Sequence, residues 1–160
     1  MLEKKPNRLR NSAAAGALAV SLIGGFEGLR QSAYPDPATR GKPWTLCYGH
    51  TGGVTPGERA SLAECKALLL ADLDREADGL DKCLHPPRPL TDGQYVAVLS
   101  LAHNIGVGGV CRSSVVRLLN AGDIEGGCNA LIRFDRAAGV TMPGLTRRRA
   151  KERGLCLMEE

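Results

Sequence analysis

The sequence predicts an α+β protein that is mainly helical, with one small β region toward its N-terminal end. Three observations carry this. Residues 34–57, YPDPATRGKPWTLCYGHTGGVTPG, are dense in Pro and Gly with short Thr- and Tyr-containing pieces between them. That is the composition of turns around a small hairpin. Ser61-Leu-Ala-Glu64 then makes a capping-box pattern, in which the hydroxyl and the carboxylate satisfy free amides at a helix start. Leu62, Cys65, Leu69, Leu73 and Leu80 follow at near-helical spacing and predict a helix of about 18 residues. Third, helix start and stop signals alternate along the rest of the chain.

Those signals order the remaining elements. HPPRP at 85–89 breaks the chain, and Thr91-x-x-Gln94 opens a second helix through Tyr95, Val98, Leu99 and Ala102. NIGVGG at 104–109 ends it. SSVVRLLNAG reads as a short helix closing at Gly122, and Asp123 caps another that runs through Phe134. A last helix is expected from about Leu145 to Met158, with RRRAKER on its exposed side. No internal repeat is present.

Composition narrows the class. At 160 residues the chain is long enough for one domain with a real core, but aromatics are scarce, so that core must rest on Leu, Val, Ile and Ala. The net charge of +4 suits an anionic polymer or a membrane surface and does not require nucleic acid. RRRAKER lacks interleaved aromatics, which favours a solvated helix face over a nucleic-acid contact.

Six cysteines, at 47, 65, 83, 111, 128 and 156, are spread out with no CxxC pair. Zinc sites use close ligand pairs, so neither a metal nor another cofactor is expected. An even number points to disulfides in an oxidising compartment, and argues against a free thiol for Cys–His nucleophilic chemistry. Spacing leaves the connectivity open. Staples local to one subregion would be Cys47–Cys65, Cys83–Cys111 and Cys128–Cys156.

The N-terminus has the pattern of an export segment. Lys4, Lys5, Arg8 and Arg10 precede an uncharged run from Asn11 to Phe26 that is built from Ala and Gly more than from Leu and Ile. It is weaker than the roughly 20 strongly apolar residues of a stable transmembrane helix. A cleaved signal peptide is the alternative reading.

Two carboxylates stand out for chemistry. Glu27 ends the apolar run, and Asp36 lies in the Pro-flanked turn after it. A carboxyl against apolar surroundings can stay protonated as a general acid, while one in a polar turn stays ionised. Two such groups across a cleft are the equipment for cleaving a glycosidic bond.

EGLRQSAYPDP followed by WTLCYGHT resembles the active-site region of the phage-type lysozymes, glycoside hydrolase family 24. Glu27 and Asp36 have the family's gap of eight residues, and Thr45 lies five positions before His50 as it does there. LTDGQYVAVLSLAHNIGVGG, SSVVRLLNAGDIEGG and PGLTRRRAKE extend the likeness over nearly all of the chain from Glu27 on. One departure is visible. Eight residues, PATRGKPW, separate Asp36 from Thr45, where the commoner family spacing is five.

The resemblance implies a lysozyme-like fold, in which a small β-hairpin region and a helical lobe are joined by a long helix. It implies a muramidase that hydrolyses the β-1,4 bond between N-acetylmuramic acid and N-acetylglucosamine in peptidoglycan. Glu27 would be the general acid, with Asp36 and Thr45 activating the water, so that the anomeric centre inverts. Asn104 would contact the sugar. His50 would pair with Asp72, a structural rather than catalytic role, and Arg148 would face the catalytic Glu. His85 and His103, without evident partners, read as surface or packing residues.

Endolysins of Gram-negative phages include a group exported by a signal-anchor-release segment, and residues 1–26 resemble one, followed by a catalytic domain over 27–160. The protein is then expected in the host inner membrane first and in the periplasm after release, as a monomer, with peptidoglycan as partner and a dependence on a holin or pinholin. A lytic transglycosylase or a non-catalytic, disulfide-stapled wall-binding module are the alternatives.

Overall fold

The computed structural model describes residues 6–37 and 40–159. Lys4 and Lys5 of the basic run lie outside the described residues, as do Ala38 and Thr39 of the PATRGKPW turn. The chain divides into two compact units. One takes the chain up to Leu18 together with everything from Asp74 onward, and the other is Ala19–Leu73. Helices α2 (Ala13–Phe26) and α3 (Leu62–Leu80) each contribute residues to both.

The Ala19–Leu73 unit contains the small sheet. Strand β1 (Arg30–Pro35) pairs antiparallel with β2 (Trp44–Cys47), placing Tyr34 opposite Thr45 and Pro35 opposite Trp44, with a register shift between Tyr34 and Arg30. Leu46, Cys47 and Cys65 are buried here, with Ala33, Tyr48, Val54, Ala60 and Leu68 packed against them. The Cys47–Cys65 disulfide joins β2 to the first turn of α3. A core this small gains from such a staple, because cross-linking removes conformations from the unfolded chain. The capping pattern at α3 forms as expected: Ser61 Oγ accepts from Glu64 N at 3.1 Å, and the Glu64 carboxylate accepts from Ser61 N at 2.6 Å. That bond from the Ser61 backbone holds the Glu64 carboxyl below its ordinary range.

The other unit is helical and builds on α4 (Asp92–Ile105), in which Tyr95 to Ala102 are all buried. A helix apolar on every side has to lie inside its unit. Thr91 and Gln94 close its capping box with bonds of 3.1 and 3.0 Å. Around it stand α1 (Arg8–Asn11), α5 (Val107–Cys111), α6 (Ser114–Asn120), α7 (Ile124–Ala130) and α8 (Pro143–Leu157). Two disulfides lie in this unit, Cys83–Cys111 and Cys128–Cys156, the second tying α7 to α8. Gly127 of α7 cannot carry a side chain, since a Cβ there would meet Leu119 of α6 at 2.6 Å.

Several expectations need correction. The helix capped by Asp123 stops at Ala130, short of Phe134, and gives way to a tight 3-10 turn over Leu131–Arg133. Gly126 and Gly127 weaken it from within. A second hairpin follows, β3 (Arg136–Ala137) with β4 (Val140–Thr141), too short to leave an alternating pattern in the sequence. Helix α8 begins at Pro143, where a missing N–H costs nothing.

The largest correction concerns RRRAKER. Arg149 and Glu152 are fully buried and Arg148 is nearly so. The segment therefore puts two guanidiniums and a carboxylate into the interior of its unit. His103 also has a partner: its Nδ1 lies 3.0 and 3.1 Å from the two carboxylate oxygens of Glu76.

Candidate active site

Glu27, Asp36 and Thr45 all fall in the Ala19–Leu73 unit, placed by three successive pieces of chain. Glu27 follows the last residue of α2, and its backbone N–H still bonds to Ile23 O at 3.1 Å, so it is held at a helix end rather than in a free loop. Its side chain is half-buried, as is that of Asp36. Asp36 directly follows β1. Thr45 is buried in β2, opposite Tyr34, two residues before Asp36. The hairpin thus sets the aspartate just past the end of one strand and the threonine on its neighbour.

The longer turn between them folds back on Asp36 itself. Gly41 N donates to Asp36 O at 2.7 Å, and Arg40 and Gly41 adopt φ of 60° and 81°. The left-handed conformation suits the glycine and explains how the chain reverses there. With this longer spacing, β2 still pairs with β1 at Thr45.

His50 lies just past β2, its backbone bonded to Leu46 in both directions at 2.8 Å. Its Nδ1 is 2.8 Å from Asp72 Oδ2 on α3, and its Nε2 is 3.0 Å from Gly52 O. Asp72 and the Gly52 carbonyl can each accept a hydrogen bond from the ring. The pair ties the loop after the hairpin to α3, which is support for the strand that carries Thr45.

Asn104 and Arg148 belong to the helical unit. Asn104 is exposed near the end of α4, and its Oδ1 accepts from Arg149 NH1 at 3.0 Å. Arg149 also donates to Phe134 O at 3.3 Å and through NH2 to Glu152 Oε1 at 2.8 Å. Its Nε is 2.6 Å from Glu152 Oε2, an ion pair lying off the hydrogen-bonding axis. Arg148 donates from Nε to Glu152 Oε1 at 3.2 Å and from NH2 to Ser100 O at 3.2 Å. Burial pulls the Arg149 guanidinium below its ordinary range, opposed by Glu152.

The sequence reading missed Arg149, Glu152 and Ser100 as the frame behind Asn104. The signal was present, since Glu152 stands three and four residues after the two arginines, where helical side chains meet. Nothing local said that this face turns inward. Among the described residues no group of His, Cys, Asp and Glu is arranged to hold a metal ion.

Comparison with known proteins identifies the family. The model of the phage lysozyme family matches residues 24–152. The chain is 37% identical over 162 residues to a SAR-endolysin of Bacteriophage PS119, covering 93% of this chain and 94% of that one. Among solved structures, the muramidase domain of SpmX from Asticaccaulis excentricus superposes with a TM-score of 0.79 at 34% identity, over 89% of this chain and 96% of that one. The active form of the P1 phage endolysin gives a TM-score of 0.75 at 31% identity, over 90% and 83%. With the hairpin, the long helix and the match across most of its length, the chain belongs to the phage lysozyme family.

Proposed function

We propose that this protein is an endolysin, a muramidase that hydrolyses the β-1,4 bond between N-acetylmuramic acid and N-acetylglucosamine in peptidoglycan and so lyses the host cell. The observation that supports this best is the family match over residues 24–152, together with Glu27, Asp36 and Thr45 on one unit around one hairpin. In this reading Glu27 protonates the leaving glycosidic oxygen. Asp36, with Thr45, orients and deprotonates a water that attacks from the opposite face and inverts the anomeric centre. Asn104 contacts the sugar, and the His50–Asp72 pair and Arg148 support the site.

Glu27→Gln tests the chemistry. It removes the transferable proton while keeping the shape, so peptidoglycan hydrolysis should fall by about a hundredfold or more while wall binding persists. Hydrolysis absent from the wild type as well would leave only a wall-binding module, and unchanged hydrolysis by the variant would remove Glu27 as the acid. Product analysis separates the enzymes. A hydrolase yields reducing ends of inverted configuration, whereas 1,6-anhydro ends would make the protein a lytic transglycosylase.

Delivery follows the same reading. The segment before Glu27 anchors the chain in the host inner membrane, and after release, timed by a holin or pinholin, the monomer acts in the periplasm. The relative from PS119 is named a SAR-endolysin, and the Ala- and Gly-rich run suits reversible insertion. Among the described residues no helix is long and apolar enough to cross a membrane: α2, which contains most of that run, has 14 residues. Gly25→Leu probes the balance. A Cβ at Gly25 meets nothing within 4 Å, so there is room for a side chain, whereas a Cβ at Gly24 would already touch Leu69 and Tyr48 at 3.5 Å. The added apolar surface should hold more of the chain in the membrane fraction. Unchanged release would make the segment a plain signal sequence.

A further inference from the structure

Residues 7–12, NRLRNS, end on three carboxylates. Arg10 donates from NH1 to Asp78 Oδ1 at 2.9 Å, and from NH2 to Asp78 Oδ2 at 2.8 Å and Asp74 Oδ2 at 2.6 Å. Asn7 Nδ2 reaches Asp74 Oδ1 at 3.0 Å and Asp78 Oδ1 at 2.9 Å, while its Oδ1 caps α1 by accepting from Arg10 N. Arg8 Nε donates to Asp92 Oδ1, and the Ser12 hydroxyl donates to Asp92 Oδ2 at 2.7 Å. Asn7 is 3% exposed.

The match is one of charge and of spacing. Asp74 and Asp78 are four residues apart on α3, so they share a face and repel each other unless a cation lies between them. The guanidinium fork of Arg10 fills that place, bidentate to one and reaching the other. Asp92 is the first residue of α4, where the helix dipole already favours a negative charge, and Arg8 adds to it. The apolar side of α2 buries one large side chain, Ile23, and otherwise Ala15, Gly16 and Ala19, small groups that grip weakly. Polar contacts at residues 7–12 supply what that face lacks.

We infer that Arg8 and Arg10 serve twice, first as the positive charges that keep the chain's start on the cytoplasmic side of the membrane, and after release as a latch that clamps residues 7–12 onto Asp74, Asp78 and Asp92. This rests on the anchor reading above. While the segment spans the bilayer its arginines and the three carboxylates lie on opposite sides, so the latch cannot close. After release it closes and holds in place the helix whose end positions Glu27. The hydrogen bonds that Arg10 donates to Asp78 and Asp74 hold it still more firmly in its charged form.

The test uses the full chain, expressed with its own N-terminus in a Gram-negative host and purified after release. Intact mass reports whether residues 1–26 are retained, and trypsin cleavage after Arg10, followed by mass spectrometry, reports whether the latch is closed. We expect a retained segment and slow cleavage. Asp74→Asn/Asp78→Asn should be cut on the order of tenfold faster while keeping the circular dichroism of the folded domain. Concentrated NaCl should speed cleavage of the wild type and leave the double variant nearly unchanged, because salt screens ion pairs and not apolar packing. The salt series carries the test alone if the double variant fails to fold. A retained segment cut equally fast in both proteins and at both salts overturns the latch and leaves the anchor reading standing. A released chain that has lost residues 1–26 overturns both.

Discussion

Two arginine-bearing stretches of the helical unit, NRLRNS at 7–12 and TRRRAKER at 146–153, look alike as sequence and end in opposite environments. The side chains of Arg8 and Arg10 are 34% and 23% exposed, whereas those of Arg148 and Arg149 are 8% and 1% exposed. Near the N-terminus two guanidiniums meet three carboxylates, and water can replace any partner that leaves. On α8 two guanidiniums share the carboxylate of Glu152, and they also donate to Ser100 O, Ser100 Oγ, Phe134 O and Asn104 Oδ1. A buried charge with a partner missing has no water to turn to. The first arrangement suits something that opens and closes, and the second suits a permanent frame.

The comparison can be broken most forcefully at Glu152. Glu152→Ala leaves two guanidiniums buried without their shared carboxylate and should cost about 3–5 kcal/mol in urea unfolding. A loss under about 1 kcal/mol would mean that the cluster behaves like a surface ion pair. Ser100→Ala removes a hydroxyl that donates to Glu152 Oε1 and accepts from Arg148 NH2, and about 1–3 kcal/mol should be lost by the same measurement. At the other stretch, Arg8→Ala should cost under about 1 kcal/mol and nothing measurable in concentrated salt. An equal salt response at Glu152 would erase the distinction drawn here.

The smallest effect is in pH. Burial raises the Asp92 carboxyl, but the hydrogen bonds from Ser12 and Arg8 outweigh it and leave the group below its ordinary range. A depressed folded value gives stability that is present above the unfolded pKa of about 3.9 and is lost as pH falls through the folded value. Hydrogen exchange at residues 8–12 should therefore accelerate below pH of about 4, ahead of the buried amides of α4. If both regions loosen together, the N-terminal contacts are as integral to the unit as α8.

What the sequence showed well was local. The caps at Ser61 and Thr91 formed as read because a hydroxyl and a carboxylate or amide three residues on satisfy their own helix start, whatever surrounds them. The small hairpin and α3 were legible from turn chemistry and leucine spacing. The order Glu27, Asp36, Thr45, His50 was legible because the chain between them is short and a known pattern runs through it.

Other features were decided only when distant segments met. Helical spacing reports that a face exists and not which face turns inward; α8 is so polar throughout that its inward side, Arg148, Arg149, Glu152 and Cys156, carries three charges. Those charges can be buried only because Ser100, Asn104 and the Phe134 carbonyl arrive from elsewhere. His103 looked unpartnered because Glu76 is far from it in sequence. Arg8 and Arg10 read as an export signal alone, since Asp74, Asp78 and Asp92 stand more than sixty residues away. By itself the sequence determined the capped starts of α3 and α4, the first hairpin and the order of acidic groups, all set by interactions within a few residues. Tertiary structure decided which charges are buried and which are latched, because the energy of a charge depends on partners and on access to water that only the folded chain supplies.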